Sequence, residues 1–215
     1  MKPLIKVMLI VGAVFASTFI LGRVLGILTV DNVQMWLETV QSTNPAWVAA
    51  LVVLLLFADL FVAVPTLTVT ILAGFFLGFP GGFATGLTGM SLAAFCGYAM
   101  SWRWGDVVVR RLVKAPGGRE ALREAFQLSG PVMILLSRAA PMVPEVAACM
   151  AGATQMPFSR YVFFFGLSTL PYVAIAAYAG SISSVDSPQP AIFAAILLYA
   201  VLWFGWFWFR RTRYG

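Results

Sequence analysis

Residues 60 to 102 read LFVAVPTLTVTILAGFFLGFPGGFATGLTGMSLAAFCGYAMSW, a run of 43 residues without a single charge. As one α-helix this run would be about 65 Å long, whereas the hydrocarbon core of a bilayer is about 30 Å thick. The chain must therefore turn back within the run. Proline and glycine mark the predicted turning points, which are Pro65 and the cluster Phe79-Pro80-Gly81-Gly82.

The composition of the whole chain is that of a membrane protein. Of its 215 residues, 61% are hydrophobic and 10% are charged, and the mean hydropathy is +0.91. Soluble domains have about 45–50% apolar and about 25% charged residues, so a soluble globular protein is excluded. The net charge of +6 does not indicate binding to nucleic acid, because long uncharged stretches separate the basic residues.

The sequence contains no histidine. Ser-His-Asp and Cys-His catalysis are therefore excluded, as are histidine metal sites. The two cysteines, Cys96 and Cys149, lie in apolar runs without a CxxC spacing, so neither a disulfide framework nor a zinc site is predicted. We expect a protein that is not an enzyme and that needs no cofactor or metal.

A second apolar region, residues 131 to 158, has the features of a broken helix. It carries two charged residues, Arg138 and Glu145. It is interrupted by three prolines, Pro141, Pro144 and Pro157. Because irregular backbone at membrane depth is tolerated only where it is buried in protein or lines a cavity, the region is predicted to be a broken or re-entrant element.

The remaining apolar segments predict an all-α polytopic membrane protein. Three cleaner spans are expected at residues 83–101, 161–180 and 190–209. The predicted organisation has three parts: an N-terminal membrane anchor with a short external segment at 1–45, a core at 46–180, and a C-terminal transmembrane helix with a basic tail at 181–215.

Charged residues between the apolar segments predict the orientation in the membrane. The segment at 31–45 carries acidic but no basic residues, whereas the loop at 103–130 is rich in arginine. By the positive-inside rule this basic loop and both basic termini are cytoplasmic. The short loops favour the inner membrane of a bacterium.

The two interrupted regions share a pattern. The first contains Val64-Pro65, Ala73-Gly74 and Pro80, and the second contains Val143-Pro144, Ala151-Gly152 and Pro157. Counting crossings gives two hairpins of opposite orientation, which is the signature of an inverted repeat in a transporter. Three short spans within residues 46–102 would also satisfy the count, so this alternative stays open.

Each hairpin carries one charge at the same distance from its proline. Asp59 lies six residues before Pro65, and Arg138 lies six residues before Pro144. Ionisable residues in the membrane cost roughly 2.5–3.5 kcal/mol on insertion scales and face a bundle interior or a cavity. The pair is interpreted as a substrate or proton site, with a structural ion pair as the alternative. Glu145 either carries a proton or caps the half-helix that follows Pro144.

These residues resemble the DedA family, whose shared region is called the VTT or SNARE-associated domain. The resemblance covers residues 57 to 180, over half of the chain. It includes Asp59, the segment from Pro65 to Ala73-Gly74, and the run Arg138-Ala139-Ala140-Pro141-Met142-Val143-Pro144. These motifs are fairly specific as a set, whereas each alone is weak. The resemblance implies two opposed re-entrant hairpins and the movement of lipids between leaflets. Undecaprenyl phosphate and phospholipids are the implied substrates, with coupling to protons in some members.

The family pattern is carried over to this chain only in part. Asp59 and Arg138 match family positions, whereas Leu67 and Pro144 stand where many bacterial members have an acid and a second arginine. The predicted site is Asp59, Arg138 and Glu145, and the predicted hairpin turns involve Pro65, Gly74, Pro141, Pro144 and Gly152. A lipid flippase or scramblase is therefore expected, with membrane lipids and protons as partners. Open alternatives are a small-anion or ion transporter and a scaffold that transports nothing.

Overall fold

The computed structural model describes residues 44–62, 64–112, 117–139, 143–184 and 189–214, together with residues 13, 17, 34, 35 and 39. Nearly all of the N-terminal membrane anchor predicted within residues 1–45 lies outside the described residues. Over the described ranges the chain forms helices and their connections, with no strand. The prediction of an all-α protein is confirmed.

The first helix whose bounds lie within the described residues, α1, spans Pro45–Ala58. The side chain of Asn44 caps it by accepting a hydrogen bond from the backbone N–H of Ala46 at 2.9 Å. Helix α1 ends at Asp59, whose Oδ1 accepts a hydrogen bond from the backbone N–H of Val64 at 2.7 Å. This bond closes a compact turn between α1 and the next helix. Pro65 is the residue directly before that helix.

Helix α2 spans Thr66–Leu112 but is interrupted at Gly78, where φ is 70° and ψ is 173°. We call residues 66–77 the first arm and residues 79–112 the second arm. The arms pack against each other, since a Cβ atom on Gly82 would lie 2.5 Å from the backbone nitrogen of Gly74. The chain thus reverses at Gly78, just before the predicted cluster at residues 79–82. Glycine adopts this positive φ readily, whereas Pro80 is tolerated because it lies in the first turn of the second arm.

A further reversal lies between α1 and α2. Helix α1 packs along the second arm in the same direction, because Leu56 meets Gly89 and Leu60 meets Gly97 further along. The first arm runs the opposite way, with Thr70 against Gly86. The chain therefore changes direction at residues 59–65 and again at Gly78.

In the described part of its second half, the chain forms four helices and a short 3-10 turn. Their bounds are Gly118–Leu136 for α3, Ser137–Ala139 for the 3-10 turn, Val143–Ala153 for α4, Phe158–Ser181 for α5 and Gln189–Tyr214 for α6. Between α4 and α5 the chain reverses at Gln155, which has a φ of 60°. The backbone N–H of Met156 closes this turn on the carbonyl oxygen of Ala151 at 2.9 Å.

The structure gives the helix bounds in this region. The basic segment at 103–130 is mostly helical, because α2 continues to Leu112 and α3 begins at Gly118. The apolar region at 131–158 is interrupted after Leu136, because α3 continues through Pro131 and the 3-10 turn and α4 follow. Proline at this position interrupts the helical hydrogen bonding locally without ending the helix.

Helix α5 lies antiparallel to the second arm and joins the two halves. Tyr161 stacks on Tyr98 with ring centroids 5.1 Å apart, and Phe165 meets Phe95 at 5.4 Å. At its other end α5 touches the first arm, where Gly180 meets Ile71. These contacts make α5 and α2 the centre of the core.

Within the described residues, two helices are long and apolar enough to cross a membrane. They are Thr66–Gly105, which includes the reversal at Gly78, and Phe158–Ser181. Shorter apolar helices are Pro45–Ala58, Val143–Ala153 and Gln189–Gly205. The predicted spans at 161–180 and 190–209 fall within α5 and α6.

Candidate functional site

A buried cavity lies where the two halves of the chain meet. It is bordered by the end of α1, the second arm, the 3-10 turn, the start of α4 and helix α5. Its charged lining residues are Asp59, Arg138 and Glu145, all of which are buried. The three charged residues singled out in the sequence are therefore neighbours in space, although they come from three different segments.

Asp59 links the turn after α1 to the start of α4. Its side chain is 7% exposed and accepts the hydrogen bond from Val64 that holds the turn. Its carboxyl group also lies close to that of Glu145, on the wall of the same cavity. Asp59 thus stabilises the turn and also lines the cavity.

Glu145 lies in the first turn of α4. A negative charge is favourable there because the N-terminal end of a helix carries a partial positive charge. The same carboxyl group contacts Asp59 across the cavity. The position therefore fits both interpretations of Glu145, as a helix-end charge and as a site residue.

Arg138 lies in the 3-10 turn, and its side chain is 8% exposed. One terminal nitrogen donates a hydrogen bond to Thr169 Oγ1 at 3.2 Å. The guanidinium carbon lies 5.9 Å from the ring centroid of Phe165 and 5.4 Å from that of Tyr172, within the range of cation–π attraction. Within the described residues, its Nε is the buried side-chain nitrogen that finds no hydrogen-bond partner.

The site brings acidic and basic side chains together. The carboxyl groups of Asp59 and Glu145 and the guanidinium of Arg138 line the same cavity. Acceptors and donors for a polar headgroup therefore lie side by side.

The cavity is small in this conformation. Its volume of about 20 Å³ is enough for one water molecule. A lipid headgroup is much larger, so it could enter only if the surrounding helices moved apart.

The predicted turn residues occupy different positions. Pro65 lies in the connection between α1 and α2, and Pro144 lines the cavity at the start of α4. Gly74 and Gly152, however, lie inside helices, so their prediction as turn residues was wrong. Both are needed for helix contact, since a Cβ on Gly74 would lie 2.1 Å from the carbonyl oxygen of Ala177. Pro141 lies outside the described residues.

The sequence analysis missed the residues of α5 that surround Arg138. Tyr161 and Phe165 line the cavity, Thr169 binds the guanidinium, and Tyr172 stacks on it. These four residues recur at spacings of four, four and three, which places them on one face of a helix. The sequence signal that could have identified these residues is Thr169, a polar residue on a helix face that is otherwise aromatic.

The VTT domain family matches residues 64–182, which is more than half of the chain. The chain belongs to the VTT-domain family, also called the DedA family. This DedA-family protein shows no significant similarity to any functionally curated protein or any solved structure.

Membership in the DedA family establishes the class of protein. With two helices apolar enough to span a bilayer, the chain is an integral membrane protein, and its family indicates a transporter-like role. The matched region includes Arg138 and Glu145, whereas α1 and Asp59 precede it. The acid of the site that comes from α1 thus lies just outside the shared domain.

Proposed function

We propose that this DedA-family protein moves phosphate-bearing lipid headgroups between the leaflets of a membrane, as a flippase or scramblase does. Undecaprenyl phosphate and phospholipids are the candidate substrates. The observation that carries the proposal is Arg138, a buried cation at a cavity between the two halves of the chain, whose Nε has no partner within the described residues. A guanidinium with a free donor suits a phosphate oxygen.

The short helices support two re-entrant hairpins. Helix α1 has 14 residues and α4 has 11, which correspond to about 21 and about 17 Å. The first arm, at residues 66–77, is about 18 Å long. None of these reaches across a hydrocarbon core of about 30 Å. In this proposal α1 and the first arm enter the membrane and return to the same side, and α4 does so together with the chain before it.

Reciprocal packing supports an inverted repeat. Gly74, near the end of the first arm, packs on α5 at Ala177. Gly152, near the end of α4, packs on the second arm at Tyr98. Each short helix thus contacts the long helix of the other half, as a two-fold relation in the membrane plane requires.

The orientation follows from the arginines near the connection between α2 and α3. Arg103 and Arg123 flank this connection, and both are exposed. We place it in the cytoplasm together with both chain termini, in the inner membrane of a bacterium.

In this mechanism the headgroup crosses through the opened cavity while the lipid tails remain in the bilayer. Arg138 pairs with the phosphate. The carboxyl groups of Asp59 and Glu145, which line the same cavity, release the phosphate by competing for the guanidinium, and they exchange protons in a coupled mechanism. No covalent chemistry and no cofactor take part.

A second candidate is a transporter of small anions or ions. The volume of the cavity, about 20 Å³, favours it, since only a water-sized species fits without movement of the helices. A scaffold that transports nothing would use the three charges only to hold the hairpins together.

The test is translocation of fluorescent lipids in proteoliposomes, with and without a proton gradient. Arg138→Ala is compared with the wild type and with Arg160→Ala, a control that removes an exposed arginine at the start of α5. Loss of the phosphate contact should lower the rate about tenfold or more in Arg138→Ala only. A folded wild-type protein that moves no lipid, including a polyprenyl phosphate, would contradict the proposal.

A further inference from the structure

We infer that the turn between α4 and α5 is a latch, which Gln155 and Tyr98 hold to the second arm and whose release lets the cavity enlarge. The latch comprises residues 154–157 and directly follows α4, the helix that carries Glu145. The attachment of the latch is a feature of the fold. Its part in transport rests on the proposed function.

Gln155 has a backbone conformation that favours glycine. Its φ is 60°, and among the described residues it is the one residue other than glycine with a positive φ. The reversal at Gly78 is similar, because its φ is 70° and a proline follows two residues later in both turns. Glycine adopts this conformation readily, whereas glutamine is strained in it. Such strain persists only where the surrounding structure holds the residue in place.

The side chain of Gln155 explains why glutamine is held in this conformation. Its Nε2 donates a hydrogen bond to the carbonyl oxygen of Trp102 in the second arm at 3.1 Å, and another to that of Gly152 at 3.5 Å. Glycine would relieve the backbone but could form neither bond. Because Gln155 is half-exposed, water can replace these bonds when the latch leaves the second arm, as a reversible contact requires.

Tyr98 connects the latch to the wall of the cavity. Its hydroxyl group donates a hydrogen bond to the carbonyl oxygen of Met156 at 2.5 Å. Its ring stacks on that of Tyr161 with centroids 5.1 Å apart, and Tyr161 lines the cavity. A group that enters the cavity and displaces Tyr161 therefore acts on Tyr98, and through its hydroxyl group on the latch.

Release of the latch would free a helix that lines the cavity. Glu145 and Ala147 of α4 line the cavity together with Met90 of the second arm. Further along, Ala148 of α4 packs on the second arm at Gly97. The cavity of about 20 Å³ holds one water molecule while these helices are in contact. Separation of α4 from the second arm, which the latch opposes, would enlarge it.

The first test measures the latch without transport. Gln155→Gly removes the side-chain bonds, and Tyr98→Phe removes the hydroxyl group while it keeps the ring. Hydrogen exchange of the full chain in detergent, followed by mass spectrometry, reports on α4 and on the first arm separately. We expect exchange about fivefold faster in α4 and unchanged in the first arm, the effect of one lost hydrogen bond. The control, Tyr178→Phe, removes an exposed hydroxyl group of α5 and should change neither.

Three results of this experiment would overturn the inference. The first is unchanged exchange in α4, and the second is equal acceleration in α4 and the first arm, which would indicate general destabilisation. The third is slower exchange in α4 of Gln155→Gly. A turn that only reverses the chain would give this third result, because glycine would relieve its backbone.

The second test prevents the release. A Cβ atom on Gly97 would lie 3.7 Å from that of Ala148, close to the separation of about 3.8 Å in a disulfide. The side-chain end of Leu60, 2.8 Å from the added Cβ, would have to shift. Gly97→Cys with Ala148→Cys, in a parent whose Cys96 and Cys149 are replaced by alanine, can therefore join α4 to the second arm.

Lipid translocation is compared in the oxidised and the reduced forms of this variant. We expect oxidation to stop translocation and dithiothreitol to restore it. Equal rates in the two forms, with the disulfide confirmed by mass spectrometry, would overturn the inference and leave lipid transport by the parent intact. A folded parent that moves no lipid would contradict the proposed function itself, and hydrogen exchange alone would then decide on the latch.

Discussion

Arg138 is the residue around which the site is built. Three residues on one face of α5 contact its guanidinium. Its buried Nε–H has no hydrogen-bond acceptor among the described residues, which is energetically unfavourable. The positions of Asp59 and Arg138 relative to Pro65 and Pro144 were enough to single out both charges from the sequence. The proximity of Asp59 and Glu145 could not be predicted, because it depends on how the first turn of α4 packs against the end of α1.

Thr169→Val tests the support of Arg138. The substitution keeps the shape of the side chain and removes the hydroxyl that accepts the guanidinium hydrogen bond. A second buried donor is then left without an acceptor, so the protein should lose about 1–3 kcal/mol of stability and transport more slowly. Thermal unfolding in detergent and lipid translocation are the measurements. Thr88→Val, which removes an exposed hydroxyl bonded to its own helix, is the control and should change neither.

The approximate positions of the helices could be predicted from the sequence better than their end residues and their contacts. The charge-free run established that the chain reverses between residues 60 and 102, and the reversal occurs at Gly78. The roles of Gly74 and Gly152 were wrong, because sequence alone does not distinguish a glycine that ends a helix from one that admits a neighbouring backbone. Both functions need the absence of a side chain, and only the packing of α5 and α2 separates them.

Gly74→Ala and Gly152→Ala test these close helix contacts. A Cβ atom would lie 2.1 Å from the oxygen of Ala177 in the first case and 2.2 Å from the oxygen of Tyr98 in the second. The helices must move apart, so each variant should lose at least about 1–3 kcal/mol of stability, measured by thermal unfolding. The control is Gly166→Ala in α5, where the nearest side-chain atom is 4.0 Å from the added Cβ. Equal unfolding temperatures for all three variants would contradict the packing.

Gly78→Ala tests the backbone at the reversal. The φ of 70° is unfavourable for alanine, although no atom lies within 4 Å of the added Cβ. The expected loss is about 1–2 kcal/mol and comes from the backbone alone. Gly78→Asn should recover part of it in the same unfolding experiment, because asparagine adopts positive φ more readily than alanine does. No difference between the two substitutions would argue against a strained backbone there.

At the scale of the whole molecule, segments from both halves of the chain meet at one site. Composition alone established a membrane protein, and the family match over residues 64–182 agrees with the resemblance noted in the sequence. The surroundings of Arg138 could not be predicted from the sequence. An aromatic stripe on α5 has the same sequence pattern whether it faces lipid or a buried cation. The orientation of the chain in the membrane was predicted from the charged residues alone, so it needs its own experiment.

Cysteine labelling tests the orientation. In a variant with Cys96 and Cys149 replaced by alanine, single cysteines are placed at two exposed positions, Glu120 in α3 and Gln189 at the start of α6. If the connection between α2 and α3 is cytoplasmic, a membrane-impermeant maleimide should label intact cells at position 189 only. Position 120 should react after the membrane is permeabilised. The opposite pattern would invert the assigned orientation.

The most direct test of the central claim is to follow lipids and a small ion in the same vesicles. Proteoliposomes containing the wild-type protein are loaded with chloride and carry an acyl-labelled phospholipid in both leaflets. Reduction of the outer-leaflet fluorophore reports lipid movement, and an electrode reports chloride release. A headgroup pathway between two hairpins predicts that the lipid exchanges between leaflets at a rate that depends on Arg138, while chloride is retained. Release of chloride from vesicles whose lipids do not exchange would contradict this account.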